Sequence, residues 1–153
     1  MDIELAQVPD LTLAVVRGRV PFAELPAFYD SAYTAVAAAL AAAGSPPSGS
    51  AYGWYAAMPT SDVDLAAGFG APVGTPLDDE RVELQTIPGG SAVVATFVGP
   101  YDQLTAAWQQ VESWRATTNA GTPRGDFYEE YVTEPSPDGD PSQNVTRLVL
   151  PVV

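Results

Sequence analysis

The sequence repeats its own pattern once, and this internal duplication limits the possible folds more than any other feature. The two pseudo-repeats span about residues 1–78 and 79–153, and each reads as strand, helix, strand, strand. Five landmarks recur in the same order at nearly constant spacing: Val8-Pro9 with Ile87-Pro88, Phe22-x-x-Leu25 with Tyr101-x-x-Leu104, Ala43-Gly44 with Ala120-Gly121, Tyr55-x-x-x-Pro59 with Tyr131-x-x-x-Pro135, and Pro72-Val73 with Pro151-Val152. Self-similarity of this kind indicates a structure built from two similar units. Two units related by a pseudo-two-fold axis would leave a cleft between them, a favoured location for pockets.

Apolar periodicity places the elements within each half. In the first half we predict a strand over 11–20, a helix over 21–43, strands over 52–57 and 63–73, and a linker over 74–80. In the second half we predict a lead-in segment over 82–87, a strand over 91–98, a helix over 102–118, a strand around Tyr131, an acidic loop over 136–143 and a closing strand over 145–150. The expected fold is a single α+β domain over residues 1–153, with an antiparallel sheet and a central groove.

Composition excludes several classes of protein. A net charge of −13 opposes nucleic-acid binding and favours cationic ligands or a basic protein partner. The chain has no cysteine and no histidine, which excludes thiolate chemistry, the Ser-His-Asp triad and histidine ligation of a metal or haem. The acidic run Asp138-Gly139-Asp140 lacks the spacing of a calcium loop. We therefore expect neither a metal nor a cofactor.

Two segments bear on where the protein is located in the cell. The N-terminus, residues 1–4, is acidic and does not read as a signal peptide, and the alanine-rich run 35–43 is too short to span a bilayer. These observations predict a cytoplasmic protein with no membrane partner. Because the first strand begins almost at the N-terminus, we expect a stand-alone domain and not a complete transcription regulator.

The stretch 127–135 places a carboxylate among aromatic rings on a predicted strand. Side chains alternate along a strand, so Phe127, Glu129 and Tyr131 share one face. Burying a carboxylate is costly unless something pairs with it, and Arg124 is the only basic residue nearby in sequence. The duplication aligns Glu129 with Gly53, so the second half carries a carboxylate where the first half has no side chain. This difference indicates a specialised site at Glu129, which a ligand would complete.

Several segments together resemble the GyrI-like small-molecule-binding domains, which also form the effector-binding modules of AraC- and BmrR-type regulators. The resemblance covers most of the chain and rests on residues 63–73, on Gly99-Pro100-Tyr101-Asp102-Gln103-Leu104, on Trp114, on residues 129–135 and on residues 146–151. The family pattern has Glu-x-Tyr in the late strand, so it selects Glu129 and not Glu130. Gly70, which intervenes before Pro72, and the long acidic loop after Pro135 depart from the pattern.

The resemblance implies a groove that takes bulky, flat, often cationic molecules, with a glutamate at its floor and aromatic side chains stacked on the ligand. It carries over to Glu129 as the charged group. Aromatic and small residues complete the predicted ligand-binding set: Tyr131, Phe127, Tyr55, Gly53, Trp54, Tyr52, Phe69 and Tyr101. Only one face of each first-half strand can line the cleft, and the sequence leaves open which face does. Trp108 and Trp114 lie on the apolar face of the predicted helix over 102–118, where core packing is the better explanation of their role. Core packing is also an alternative to a ligand-binding role for Tyr131.

Three functions fit these residues. The first is binding or sequestration of a bulky aromatic or cationic compound such as a drug or toxin. The second, also implied by the resemblance, is hydrolysis of an electrophilic cyclopropane ring in a DNA-alkylating natural product. In that reaction Glu129 would activate water, and Tyr131 or Tyr55 would assist as a proton or hydrogen-bond donor. The third is a protein-interaction module, for example a modulator of gyrase, that exploits the negative charge.

Overall fold

The computed structural model of the protein describes residues 1–133 and 139–153. The strands are β1 (Asp2–Val8), β2 (Leu11–Pro21), β3 (Ala51–Tyr55), β4 (Asp62–Gly70), β5 (Glu83–Ile87), β6 (Gly90–Val98), β7 (Phe127–Tyr131) and β8 (Val145–Pro151), and the helices are α1 (Leu25–Ala42) and α2 (Leu104–Thr118). The predicted α+β class is confirmed, with each half containing the strand–helix–strand–strand order. Pro135 and residues 136–138 of the predicted acidic loop lie outside the described residues.

Local sequence explains where the helices begin and end. Each helix follows a short 3-10 turn, Phe22–Glu24 before α1 and Tyr101–Gln103 before α2. Pro26 lies in the first turn of α1, where its missing N–H leaves no helical hydrogen bond unmade. Helix α2 ends at Thr118, in agreement with the predicted helix over 102–118, and is capped by Asn119, which adopts the left-handed conformation with φ 53°. None of the helices formed by the described residues combines the length and apolarity required to cross a membrane.

The eight strands form one sheet in the order β1-β6-β8-β7-β3-β4-β2-β5, and every neighbouring pair is antiparallel. The order reads β7-β8-β6 outward from the centre in one direction and β3-β4-β2 in the other. The equivalent strands of the two units therefore lie at equivalent distances from the β3–β7 pair. In that central pair Gly53 lies directly opposite Glu129, and Tyr55 opposite Phe127.

The two units exchange their leading strands. Strand β1, which was not predicted from the sequence, pairs with β6 of the second half, while β5 pairs with β2 of the first half. The two turns at which the chain passes between the halves, β1 to β2 and β5 to β6, are in contact, since Asp10 Oδ1 accepts a hydrogen bond of 2.7 Å from the backbone N–H of Gly89. Each edge of the sheet is thus supplied by the other half, which ties the halves together through backbone hydrogen bonds.

Both helices pack on the same face of the sheet. One apolar cluster joins α2 residues such as Val111 to Leu65 and Leu148 of the central strands, and a second joins Val36 and Leu40 of α1 to Ala14 of β2. The opposite face has a cluster of its own, in which Tyr128 packs with strand residues of both halves. The sheet is therefore buried on both faces, and its central pair β3–β7 lies beneath the helices on one side.

Candidate functional site

Glu129 lies at the middle of β7 on the helix-covered face of the sheet. Its relative exposure is 6%, and it is one of two buried polar residues in the described part of the chain, the other being Thr146. Residues directly opposite in an antiparallel pair point to the same side, so Glu129 projects beside the empty position of Gly53. The sequence prediction of a carboxylate on a buried strand face agrees with this placement.

Two neutral donors hold the Glu129 carboxylate. The indole Nε1–H of Trp108 on α2 donates to Oε1 at 2.9 Å, and the hydroxyl of Tyr131 donates to Oε2 at 2.5 Å. Arg124, the nearest basic residue in sequence, instead pairs with Asp126 at 2.7 Å. Among the ion pairs formed by the described residues, none involves Glu129. The carboxylate is therefore hydrogen-bonded but not neutralised by a basic side chain.

Burial dominates the acidity of Glu129. Removing the carboxyl group from water raises its pKa above the ordinary value of 4.5, and the hydrogen bonds from Tyr131 and Trp108 offset this only in part. The neutral form of this carboxyl group is therefore more favoured than that of an exposed glutamate.

A chain of tyrosine hydroxyls extends from the carboxylate. Tyr131 is hydrogen-bonded to Glu129 and lies 3.5 Å, hydroxyl to hydroxyl, from Tyr29 of α1, which in turn contacts the hydroxyl of Tyr55. Burial, followed by the charge of Glu129, raises the pKa of Tyr29 to about 12 and holds the pKa values of Tyr55 and Tyr131 well above the usual range. The phenols therefore remain protonated, and their hydroxyls can donate hydrogen bonds to one another and to the carboxylate.

The absent side chain of Gly53 makes room for this chain of hydroxyls. A Cβ atom at Gly53 would lie 2.7 Å from the Tyr29 hydroxyl oxygen and 3.0 Å from that of Tyr131, both closer than ordinary contacts. In the structure the two tyrosine hydroxyls occupy that space.

Aromatic rings surround the polar centre. Tyr55 and Phe127 stack with centroids 5.0 Å apart, and Trp108 meets the edge of Phe127 at 4.9 Å. The rings of Tyr29 and Tyr101 lie 6.3 and 5.6 Å from that of Tyr131. Of the predicted residues, Glu129, Tyr131, Phe127, Tyr55, Gly53 and Tyr101 are therefore brought together.

Three predicted residues lie elsewhere. Phe69 is on the helix-covered face but joins the cluster only indirectly, through Tyr33, whose ring lies 5.4 Å away. Tyr52 and Trp54 point to the opposite face, because they alternate with Gly53 and Tyr55 and sit opposite Glu130 and Tyr128.

On that opposite face the aromatic residues have partners of their own. The indole of Trp54 donates to Asp126 at 3.0 Å, and Arg17 lies over its ring at 5.0 Å. The predicted grouping of Tyr52 and Trp54 with Glu129 is thus corrected by the strand register.

The predicted site residues did not include Trp108, which was assigned to core packing on its helix, nor Tyr29 and Tyr33 of α1. The duplication contained a signal that could have found the first two. Tyr29 follows Leu25 by the same number of residues as Trp108 follows Leu104, so the two occupy equivalent helix positions. Each points at the equivalent central strand position, Tyr29 towards Gly53 and Trp108 towards Glu129.

Glu129 is nearly closed off in this structure, since the aromatic side chains cover it. A surface cavity of about 650 Å³ lies elsewhere, where the segment 78–81 meets Ala38, Ala39 and Ala42 of α1. No cluster of three or more acidic residues suited to a metal ion occurs in residues 1–133 or 139–153. What converges at the centre of the sheet is a carboxylate, phenols and aromatic faces.

This fold and site define a duplicated α+β domain with a buried carboxylate among aromatic rings. The family of GyrI-like small molecule binding domains matches the sequence over residues 1–153, and the chain belongs to this family. The resemblance stated from the sequence is confirmed. No curated protein matches the chain in sequence.

Solved structures share the fold at low sequence identity. A hydrolase encoded by lin2189 from Listeria innocua is 17% identical with a TM-score of 0.75, the alignment covering 99% of this chain and 92% of that one. The EcmrR C-terminal domain is 19% identical with a TM-score of 0.77, over 98% and 96% of the two chains. SAV2435, whose structure contains bound tetraphenylphosphonium, is 15% identical with a TM-score of 0.70, over 100% and 94%. At these identities the likeness concerns the fold alone.

Proposed function

We propose that the protein binds bulky organic cations that carry aromatic rings, with Glu129 as the opposing charge. The observation that carries the proposal is a carboxylate only 6% exposed that has two neutral hydrogen-bond donors and no basic partner among the described residues. Leaving a charge in this state costs free energy, and a cation placed beside it would recover much of that cost.

The surroundings of Glu129 suit a delocalised cation better than a small ion. A cation over an aromatic face gains about 0.5–2 kcal/mol, and Tyr131, Tyr29, Tyr101 and Phe127 offer several faces within one cluster. The net charge of −13 would attract cations over longer distances. SAV2435, which shares the fold, binds a cation of this class, tetraphenylphosphonium. These features support the proposed ligand class.

Entry of a bulky ligand requires side chains to move, because aromatic residues cover the carboxylate. Tyr131 and Trp108 donate to Glu129 from neutral groups, so an arriving cation can displace either donor without leaving a positive charge unpaired. We expect the rings of Tyr29, Tyr101 and Tyr131 to separate and then stack on the ligand.

Titration calorimetry with tetraphenylphosphonium tests the proposal. Glu129→Gln keeps the shape of the side chain and removes its charge, so affinity should fall at least about tenfold, the equivalent of 1.4 kcal/mol. Glu130→Gln is the matched control, because Glu130 is the next residue, points to the opposite face and pairs with Arg147 at 3.2 Å. It should bind like the wild type.

A neutral ligand of similar shape, triphenylphosphine oxide, separates charge recognition from apolar binding. Its affinity should be unaffected by Glu129→Gln. An equal loss of affinity for tetraphenylphosphonium in Glu129→Gln and Glu130→Gln, or no loss in either variant, would contradict the role given to Glu129.

A second candidate function is hydrolysis of an electrophilic cyclopropane, favoured by the direct hydrogen bond between Tyr131 and the buried Glu129 carboxylate. Glu129, whose pKa burial raises, would accept a proton from water as the water oxygen bonds to a ring carbon. The breaking ring C–C bond would deliver its electron pair to a conjugated carbonyl, which Tyr131 or Tyr55 would protonate. The Listeria innocua hydrolase shows that the fold occurs in a protein described as a hydrolase.

Turnover distinguishes the enzyme from the binder. An alkylator bearing a cyclopropane is incubated with a substoichiometric amount of protein, and loss of its chromophore is followed. An enzyme would consume many equivalents, and Glu129→Gln and Tyr131→Phe would each lower the rate. Consumption that stops at one equivalent or below would leave cation binding as the function.

A further inference from the structure

Two buried hydroxyl groups beside Tyr131 lack hydrogen-bond partners. Among residues 1–133 and 139–153, the Thr146 Oγ1 and Tyr101 hydroxyl oxygens are both shielded from solvent and both without a partner. Thr146 is fully buried, with a relative exposure of 0%. A buried hydroxyl with no partner loses its hydrogen bonds to water and gains nothing in return, so each one in a folded protein calls for an explanation.

The strand register places Thr146 in the central site. Thr146 on β8 lies directly opposite Tyr131 on β7, so the two side chains point to the same face, with Cβ atoms about 4.5–5.5 Å apart. Glu129, two residues before Tyr131, points the same way. The two buried polar residues of the described chain therefore flank Tyr131 on one face of the sheet.

Tyr101 approaches the same ring from the helix side. It begins the 3-10 turn that precedes α2, and its ring meets the edge of the Tyr131 ring with centroids 5.6 Å apart. Its hydroxyl lies within electrostatic reach of the Glu129 carboxylate, which adds to burial in raising the pKa of Tyr101. Thr146 and Tyr101 thus both border Tyr131, and they come from different elements.

We propose that Thr146 and Tyr101 form a second, uncharged hydrogen-bonding pole of the central site, which binds a carbonyl or hydroxyl oxygen of the ligand. A threonine or tyrosine hydroxyl can both donate and accept, so the pole suits either group. The preferred ligand is then an aromatic cation that also carries a neutral polar oxygen. The charge lies towards Glu129 and the oxygen lies towards Thr146 and Tyr101. This inference rests on the proposed cation binding.

The position of Tyr131 explains why the two poles would act together. Its hydroxyl is bonded to Glu129 in this structure, and the residue lies beside both Thr146 and Tyr101. When this ring is displaced, a ligand would meet the carboxylate and the two hydroxyls in one space. A purely apolar cation would leave the two hydroxyls unpaired, and it would bind less tightly for that reason.

A pair of matched cations tests the pole. Both are tetraarylphosphonium ions, one with a hydroxymethyl group on a single ring and one with an ethyl group at the same position. They have nearly the same size and charge and differ in one oxygen. The wild type should bind the hydroxymethyl cation about three- to tenfold more tightly, the value of one net hydrogen bond. Thr146→Val and Tyr101→Phe should each bring this ratio close to one, whereas Thr146→Ser should preserve it.

Tyr52→Phe is the control, because Tyr52 lies on the opposite face of the sheet, and it should leave the ratio unchanged. Thermal unfolding adds a test that needs no ligand. Thr146→Val should hold or raise the melting temperature, because it removes an unpaired buried hydroxyl. A clear fall would show that the hydroxyl is bonded within the fold and would overturn the proposal.

An unchanged ratio in both hydroxyl-deleting variants would also overturn the proposal. Failure of the wild type to bind either cation would instead refute the proposed function. Equal binding of the two cations by the wild type would refute only the polar pole.

Discussion

The two strands that meet at the centre of the sheet carry equivalent residues and differ at one decisive position. Strand β3 has Gly53 where β7 has Glu129, while Tyr55 and Tyr131 are conserved between the halves as the same residue type. The helices differ in step with the strands, since Tyr29 of α1 faces the glycine and Trp108 of α2 faces the glutamate.

Matched differences in the strands and helices explain how a duplicated fold has a charged site in only one of its halves. In the second half an indole N–H is a pure donor, which suits a carboxylate. In the first half a phenol, which can donate or accept, occupies the space over the glycine and bonds to Tyr55. The missing side chain on one side of the axis is therefore what allows the hydroxyls to gather beside the carboxylate on the other.

The largest effect is expected from making the two halves alike at the axis, with Gly53→Glu. The new Cβ would crowd the hydroxyls of Tyr29 and Tyr131, and a second carboxylate would face Glu129 with no basic partner. We expect the free energy of unfolding, measured with urea, to fall by about 3–5 kcal/mol, as for an uncompensated buried charge. Gly70→Glu is the control, because a side chain at Gly70 meets open space. Equal stability of the two variants would contradict the crowding at the axis.

The two equivalent tyrosines should differ in their contribution to stability. Tyr131→Phe removes a hydrogen bond to a buried carboxylate, which is worth about 1.5–3 kcal/mol, whereas Tyr55→Phe removes one between neutral hydroxyls, worth about 0.5–1.5 kcal/mol. Urea unfolding of both variants under the same conditions measures the difference. A larger loss in Tyr55→Phe than in Tyr131→Phe would reverse the asymmetry that we assign to the halves.

The pH dependence of stability should report Glu129 directly. Because burial raises its pKa in the folded state above 4.5, the folded protein holds this proton more tightly than the unfolded chain. The stability that the protonated group contributes is fully present below the ordinary pKa and is lost as pH rises through the folded-state pKa.

Subtracting the unfolding free energy of Glu129→Gln from that of the wild type isolates the contribution of Glu129 protonation to stability. Carboxylates with lowered pKa values, such as Asp126 and Glu112, have the opposite pH dependence and are present in both proteins. The difference should fall with rising pH by at most about 1.4 kcal/mol per unit. A difference that rises with pH would show that the folded state favours the ionised form.

The smallest expected change comes from Trp108→Phe. The indole hydrogen bond lowers the pKa of Glu129, so its removal should move the inflection of the same difference curve to higher pH. Trp114→Phe is the control, since Trp114 packs on the same apolar cluster from the same helix. Equal displacement by both variants would point to a general packing effect and not to the indole N–H.

Much of the fold followed from local patterns. The duplicated strand–helix–strand–strand order could be predicted because apolar periodicity and proline and glycine positions are properties of short segments. The shared face of Phe127, Glu129 and Tyr131 followed from the two-residue period of a strand. Strand β1 was missed, since its mixture of charged and apolar residues gives a weak local signal and an exchange with the other half stabilises it.

Local sequence patterns were therefore sufficient to predict a duplicated α+β domain with one asymmetric carboxylate, Glu129 in the second half against Gly53 in the first. The folded structure was needed to show that these two positions lie side by side, that Tyr52 and Trp54 face away, and that Trp108 and Tyr29 complete the centre. The physical reason is that alternation specifies which residues share a face, while the register between strands distant in sequence and the packing of the helices specify which face is covered and by what.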